Sequence, residues 1–199
     1  MFVQVIKGRT GDAASVLRQN DRWIAEVRPG AIGFLGATFG VADDGTVFAI
    51  ARFEDEAAAK TNADRPEQTA WWNEMVKYVD GELSVRESSD IGVLFDGGSD
   101  QAGFVQVMEG VVKDRAKAEA FETTEMMEQL RKARPDLIGS VRAWFGGGAY
   151  VDVAYFTSEA DARTGESSGD FSGPQQSYAD LFGDMTFLDL HNPRFASPG

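Results

Sequence analysis

The chain repeats itself. Phe2 opens the run FVQVIKG, and Phe104 opens FVQVMEG about half a chain later. RPGAIG from Arg28 returns as RPDLIG from Arg134, and ARFEDEAAAKT from Ala51 returns as AYFTSEADART from Ala154. A long, fixed period means that one supersecondary unit is built twice, so local readings have to agree in both copies. The expected units are residues 1–97 and 104–192, joined by the small polar residues 98–103 as linker.

Within a copy, the hydrophobic period switches back and forth. Val3, Val5 and their neighbours alternate through FVQVIKG, as in a strand with one buried face. Val16, Leu17, Trp23, Ile24 and Val27 then recur at helical spacing until Pro29 stops the run. Two strands follow, Ile32 to Val41 and Val47 to Phe53, around an Asp43-Asp44-Gly45 hairpin turn. A short Ala-rich helix comes next, and Pro66 opens another that runs to about Val79. Leu83 to Glu87 begins the last strand, continued by Ile91 to Phe95. The second copy reads alike: a single helix over Asp114–Arg134, Gly146-Gly147-Gly148 as the hairpin tip, a Gly/Ser loop from Gly165 to Gly173, a helix over Pro174–Phe182, and an irregular tail. The order β-α-β-β-α-β is the ferredoxin-like plan, a four-stranded antiparallel sheet with both helices on one face. Phe34 beside Leu35, Phe48 beside Ala49, and Trp144 beside Phe145 make the strands apolar on both faces. Such strands need cover on both sides.

Composition excludes several chemistries. The net charge is −13, shared by both halves, so neither offers a basic face to nucleic acid or to anionic membrane. There are no cysteines, hence no disulfide, thiolate nucleophile or cysteine-held metal. No apolar run approaches the roughly 20 residues of a membrane span, and the start MFVQVIKGR lacks a signal-like pattern. A cytoplasmic location is the expectation. His191, the single histidine, falls at a strand end, where it reads as a surface residue. Gly146-Gly147-Gly148 has no following Lys and sits between strands, so it is not a phosphate loop. Glu122, Glu125 and Glu128 read as a solvated helical stripe, and Met126-Met127 as core filling.

In element order, duplication and the strand-final RFEDEAAAKT pattern, the chain resembles the dimeric α+β barrel superfamily with both halves fused in tandem. It is similar to antibiotic-biosynthesis-monooxygenase-like proteins, and the resemblance covers residues 2–190. This implies an α+β fold in which two ferredoxin-like units pack sheet to sheet, as a monomer that is its own pseudo-dimer, with further dimerisation left open. The similar group includes cofactor-free oxygenases of polycyclic aromatic substrates, haem-degrading enzymes and proteins of unknown role. In it, a Trp on the second helix, a downstream Tyr and an Arg on the last strand are associated with the pocket; Trp72, Tyr78 and Arg86 are the matching types here. They are the expected catalytic residues, with Asn62, Trp71, Asn73, Phe34 and Phe48 around the substrate. Trp and Tyr would wall a flat ligand, and Arg would stabilise a phenolate or enolate. The competing reading makes Trp71 or Trp72 core and Arg86 a solvated strand residue. The second copy lacks this cluster, which places the expected pocket in the first half. The implied activity is cofactor-independent monooxygenation of a flat, hydrophobic or aromatic small molecule, needing no metal; the alternative is a non-catalytic small-molecule-binding or stress-response protein.

Overall fold

The structure, a computed structural model, describes residues 1–168 and 180–198. It divides into two compact units: Met1–Ile91 with Leu190–Gly199, and Gly92–Asp189. The first contains β1 (Phe2–Arg9), α1 (Ala13–Arg22), β2 (Phe34–Val41), β3 (Thr46–Phe53), α2 (Glu56–Ala63), α3 (Pro66–Met75) and β4 (Ser84–Ser88). Asp12 caps α1, its carboxylate accepting from Ser15 N at 3.0 Å. Beyond Arg22 the helix loosens into a π turn, Trp23–Val27, and a 3₁₀ turn ending at Gly30. The second unit contains β5 (Ile91–Phe95), β6 (Phe104–Val111), α4 (Arg115–Phe121), α5 (Thr124–Ala133), β7 (Leu137–Trp144), β8 (Ala149–Phe156), α6 (Glu159–Ser167) and β9 (Met185–Leu190). A last strand, β10 (Arg194–Ala196), returns to the first unit.

Each unit is built on a five-stranded antiparallel sheet, ordered β10-β2-β3-β1-β4 in one and β5-β7-β8-β6-β9 in the other. The copies match residue for residue. Phe2 opposes Phe53 as Phe104 opposes Phe156, and each second strand carries a bulge at the same place, Phe34/Gly36 and Leu137/Gly139. At the first bulge Gly36 takes φ +131°, which a side chain would not tolerate. The chain is thus α+β, with the ferredoxin-like unit present twice.

The fifth strands differ from the sequence reading. Ile91–Phe95 does not continue β4; it pairs with β7 in the second sheet. Beyond β4, Asp90 N donates to Ser88 Oγ at 3.0 Å in a tight turn. The tail, read as irregular, contributes β10, with Ala196 opposite Ala37. Both short strands cover the otherwise open edge of a second strand, where unpaired backbone groups would be exposed. The compact units therefore divide at Ile91/Gly92 rather than within residues 98–103. The Asp114–Arg134 helix is also two helices, broken at Glu122-Thr123 because Thr123 caps a new start, accepting from Met126 N at 3.2 Å. α6 runs on to Ser167 through Gly165. Residues 169–179, with the rest of the expected loop and most of the Pro174–Phe182 helix, lie outside the described residues.

Cross-strand partners share a face. In the first unit Val47, Ala49, Ala51 and Phe53 of β3 point to the helices. Phe2, Phe34, Phe53 and Ala59 form one buried cluster there, packed by Trp23; Val16, Phe39, Val47 and Met75 form another. In the second unit Val112, Ala118, Trp144, Tyr150 and Phe182 pack together, as do Phe104, Ala154, Phe156 and Ala162.

Candidate functional site

The helix-facing surface of the two sheets is where the copies part. Following the shared register, Ala37, Phe39 and Ala49 of the first copy correspond to Ser140, Arg142 and Asp152 of the second. An apolar floor has become a polar one. Arg142 donates to Asp152 Oδ2 through Nε at 2.9 Å and Nη2 at 2.7 Å, and to Glu122 Oε1 through Nη1 at 2.7 Å. The Ser140 hydroxyl donates to Asp152 Oδ1. The Arg142 and Asp152 side chains are only 4% and 3% exposed. Burying such a group of charges is costly unless every one is paired, so its presence over an otherwise apolar floor marks a site.

Above this floor lies a cavity of about 620 Å³, within the range of about 300–1,000 Å³ usual for small-molecule sites. Its roof is α5, carrying Met126, Met127 and Leu130. Its floor is Gln106, Met108, Ser140, Asp152, Ala154 and Phe156, and Met185, Phe187 and Asp189 of β9 close one side. Four of the chain's six methionines line it. Unbranched, polarisable thioethers adapt to a ligand's outline and sit well against aromatic faces. At the second polar corner, Asp189 accepts from Gln106 Nε2 at 3.0 Å and from Arg163, which also meets Glu166 at 3.2 Å.

Glu122 joins the floor to the roof. The break between α4 and α5 turns its side chain inward onto Arg142, leaving it 14% exposed. It is therefore no part of a solvated stripe with Glu125 and Glu128. Burial pushes its carboxyl above the usual range, and the Arg142 charge pulls partly back. Deeper in, Tyr150 is 1% exposed, and its hydroxyl has no hydrogen-bond partner among the described residues. Burial first, and then the Asp152 charge, push that hydroxyl up to about 12, against the pull of Arg142.

The residues singled out in sequence fall in the first unit. Trp71 packs on the Val16–Phe39 cluster, and its indole donates to Gln19 O at 2.7 Å. Trp72 lies half-buried beside it, ring centroids 6.0 Å apart, and Asn73 is exposed. Tyr78 packs on the same cluster and donates to Glu74 at 3.1 Å. Arg86 pairs with Val5, in register with Ile50, on the sheet face away from α1 and α3. The sheet thus separates Arg86 from Trp72 and Tyr78. Asn62 is buried and ties down the β2 approach, donating to Ile32 O at 2.6 Å and accepting from Ile32 N at 3.0 Å. Phe34 belongs to a core cluster, and Phe48 is fully buried on the face away from the helices. His191 lies 3.5 Å from Asp43 in the first unit. The signal that was available for the second-unit site was the polar residues Ser140, Arg142 and Asp152 at strand positions where the repeat has Ala, Phe and Ala.

No family model and no curated protein matches the sequence. Solved structures do match along its whole length. A candidate monooxygenase of Fusobacterium nucleatum subsp. nucleatum superposes with a TM-score of 0.81 at 12% identity, over 100% of this chain and 94% of that one. A candidate monooxygenase of Lactobacillus acidophilus gives 0.77 at 14%, over 100% and 97%. An anthrone oxidase-like protein gives 0.66 at 8%, over 100% and 93%. At these identities the likeness is one of fold: the chain shares their α+β fold, with two ferredoxin-like units in tandem.

Proposed function

We propose that the second unit binds a flat, largely apolar small molecule and acts on it as a monooxygenase, the substrate itself supplying the electrons. The observation that carries this reading is the cavity with methionine, leucine and phenylalanine walls over a buried polar floor. The fold supports it by analogy, since two similar structures are named candidate monooxygenases and a third is named anthrone oxidase-like. The expected activity is kept, and its seat moves from the first copy to the second.

Anthrone is a suitable probe. Calorimetry should show it binding without oxygen, and an oxygen electrode should show uptake once air is admitted. Ala154→Phe fills the floor, and should weaken binding at least tenfold and abolish uptake. Loss of both in Trp72→Phe or Arg86→Ala, with Ala154→Phe like wild type, returns the site to the first unit and overturns the proposal. Binding without uptake makes the protein a carrier or sensor, the alternative reading, which the adaptable methionine walls also suit.

A further inference from the structure

We propose that Glu122 is the catalytic base of this cavity, and that the substrate it serves is neutral and weakly acidic, a phenol or a CH₂ group flanked by conjugated rings or a carbonyl. This rests on reading the cavity as the substrate site.

The geometry separates the two floor carboxylates. Asp152 is saturated, with both oxygens accepting and the Arg142 fork turned onto Oδ2. Glu122 accepts at Oε1 alone; among the described residues no hydrogen bond reaches Oε2. Glu122 is a lining residue of the cavity, and it stands at the break between α4 and α5. A base needs an oxygen with a lone pair to spare and a line to the substrate, and Glu122 has both.

Charge balance favours the same residue. The cluster holds one cation, Arg142, and two anions, Glu122 and Asp152. A proton arriving on Glu122 leaves the Arg142–Asp152 pair, which is neutral. The negative charge passes to the substrate, so the transfer adds no net charge to a site of low dielectric. Burial already raises the affinity of Glu122 for a proton.

The lining also selects the substrate's charge. Glu122, Asp152, Glu166 and Asp189 face Arg134 and Arg163. Both arginines are engaged, Arg134 by Asp136 at 2.7 Å and Arg163 by Asp189 and Glu166. Among the described lining residues no cation lacks a carboxylate partner. The incoming substrate is therefore a neutral hydrogen-bond donor, and the negative charge it gains on losing its proton replaces the one Glu122 gives up.

The step balances with dioxygen as co-reactant. A substrate C–H bond breaks, its proton passes to Glu122, and the electron pair stays on the substrate as a delocalised carbanion. One electron moves to dioxygen, giving a substrate radical and superoxide, which join in a new C–O bond. The resulting peroxide recovers the proton from Glu122. Cleavage of its O–O bond with loss of the remaining C–H proton gives a ketone and water. A CH₂ group and O₂ thus become C=O and H₂O.

The test separates proton transfer from the rest. Wild type and Glu122→Gln are incubated with anthrone in deuterium oxide without oxygen, and deuterium entry at the CH₂ carbon is followed by NMR. Wild type should exchange at least 100-fold faster than Glu122→Gln, with anthrone affinity within threefold and matched thermal unfolding; Glu122→Asp should recover part of the rate. Wild-type exchange by Glu122→Gln with binding intact overturns the assignment while leaving the cavity reading standing. Failure of wild type to bind anthrone or 9-anthrol-type phenols overturns both.

Discussion

Replacing Arg142 by Met tests whether the polar floor is a true buried ion cluster. Arg142 donates two hydrogen bonds to Asp152 and one to Glu122 from a position only 4% exposed. Methionine keeps much of the volume and removes the charge. Asp152, at 3% exposure, then keeps the Ser140 hydroxyl as its one hydrogen-bond donor among the described residues. Removing one partner of a buried pair typically costs about 3–5 kcal/mol. Glu122 adds less, because it is more exposed and its carboxyl accepts a proton more readily. For a chain of this size each kcal/mol moves the melting temperature by about 2–4 °C, so a fall of about 6–20 °C is expected. The first copy supplies the matching control. Ser140→Ala, Arg142→Phe and Asp152→Ala install the residues found at Ala37, Phe39 and Ala49, and Glu122→Gln removes the last charge. Replacing a buried ion cluster by apolar residues of similar volume is commonly neutral or stabilising by about 1–4 kcal/mol. The quadruple variant should therefore match or exceed wild type in stability and lose all activity on anthrone. Thermal and urea unfolding by circular dichroism at neutral pH reads both. Acidification should narrow the Arg142→Met deficit, since a protonated carboxyl no longer needs the cation. An Arg142→Met cost under about 1 kcal/mol, or a quadruple variant weaker than the single one, refutes the reasoning.

Two further outcomes follow from buried polar groups. With its hydroxyl pushed up to about 12, Tyr150 stabilises the fold in full below pH 10, and that contribution drains away as pH rises through 12. It is on the order of 3 kcal/mol, so Tyr150→Phe should lose less stability than wild type over that window, and ultraviolet titration should show one fewer late-ionising tyrosine in Tyr150→Phe than in wild type; an unchanged late phase would sink the idea. Asn62→Ala removes bonds to Ile32 N, Ile32 O and Ala58 O, and should cost about 2–3 kcal/mol while leaving anthrone affinity within twofold. A large loss of affinity at unchanged stability would restore Asn62 as a binding residue.

Much of the scaffold was legible in order and spacing. Alternation at Val3 and Val5, helical recurrence from Val16 to Val27, and the Asp44-Gly45 turn are local signals, and the repeat supplies each of them a second time. That is why the α+β element order could be read from residues alone. Errors came where a local signal had two readings. Glu122, Glu125 and Glu128 keep helical spacing on paper, but Thr123 caps a new helix and turns Glu122 inward. Ile91–Phe95 reads as a strand either way; only the choice of sheet edge decides where it goes.

The candidate site was the least legible part, for a physical reason. Trp72, Tyr78 and Arg86 draw the eye by residue type, yet strand parity puts Arg86 on one side of the sheet and α3 on the other. Ser140, Arg142 and Asp152 look like ordinary polar strand residues, and alternation alone would send them to solvent. Register with the neighbouring strands and the helices packed above them turn that face inward, forcing three polar groups to pair with one another and with Glu122. The residues dictated two copies of one unit, because periodicity is a property of the chain. The cavity in the second copy, and which carboxylate keeps an oxygen to spare, were decided by tertiary structure, because burial and pairing exist only once distant segments meet.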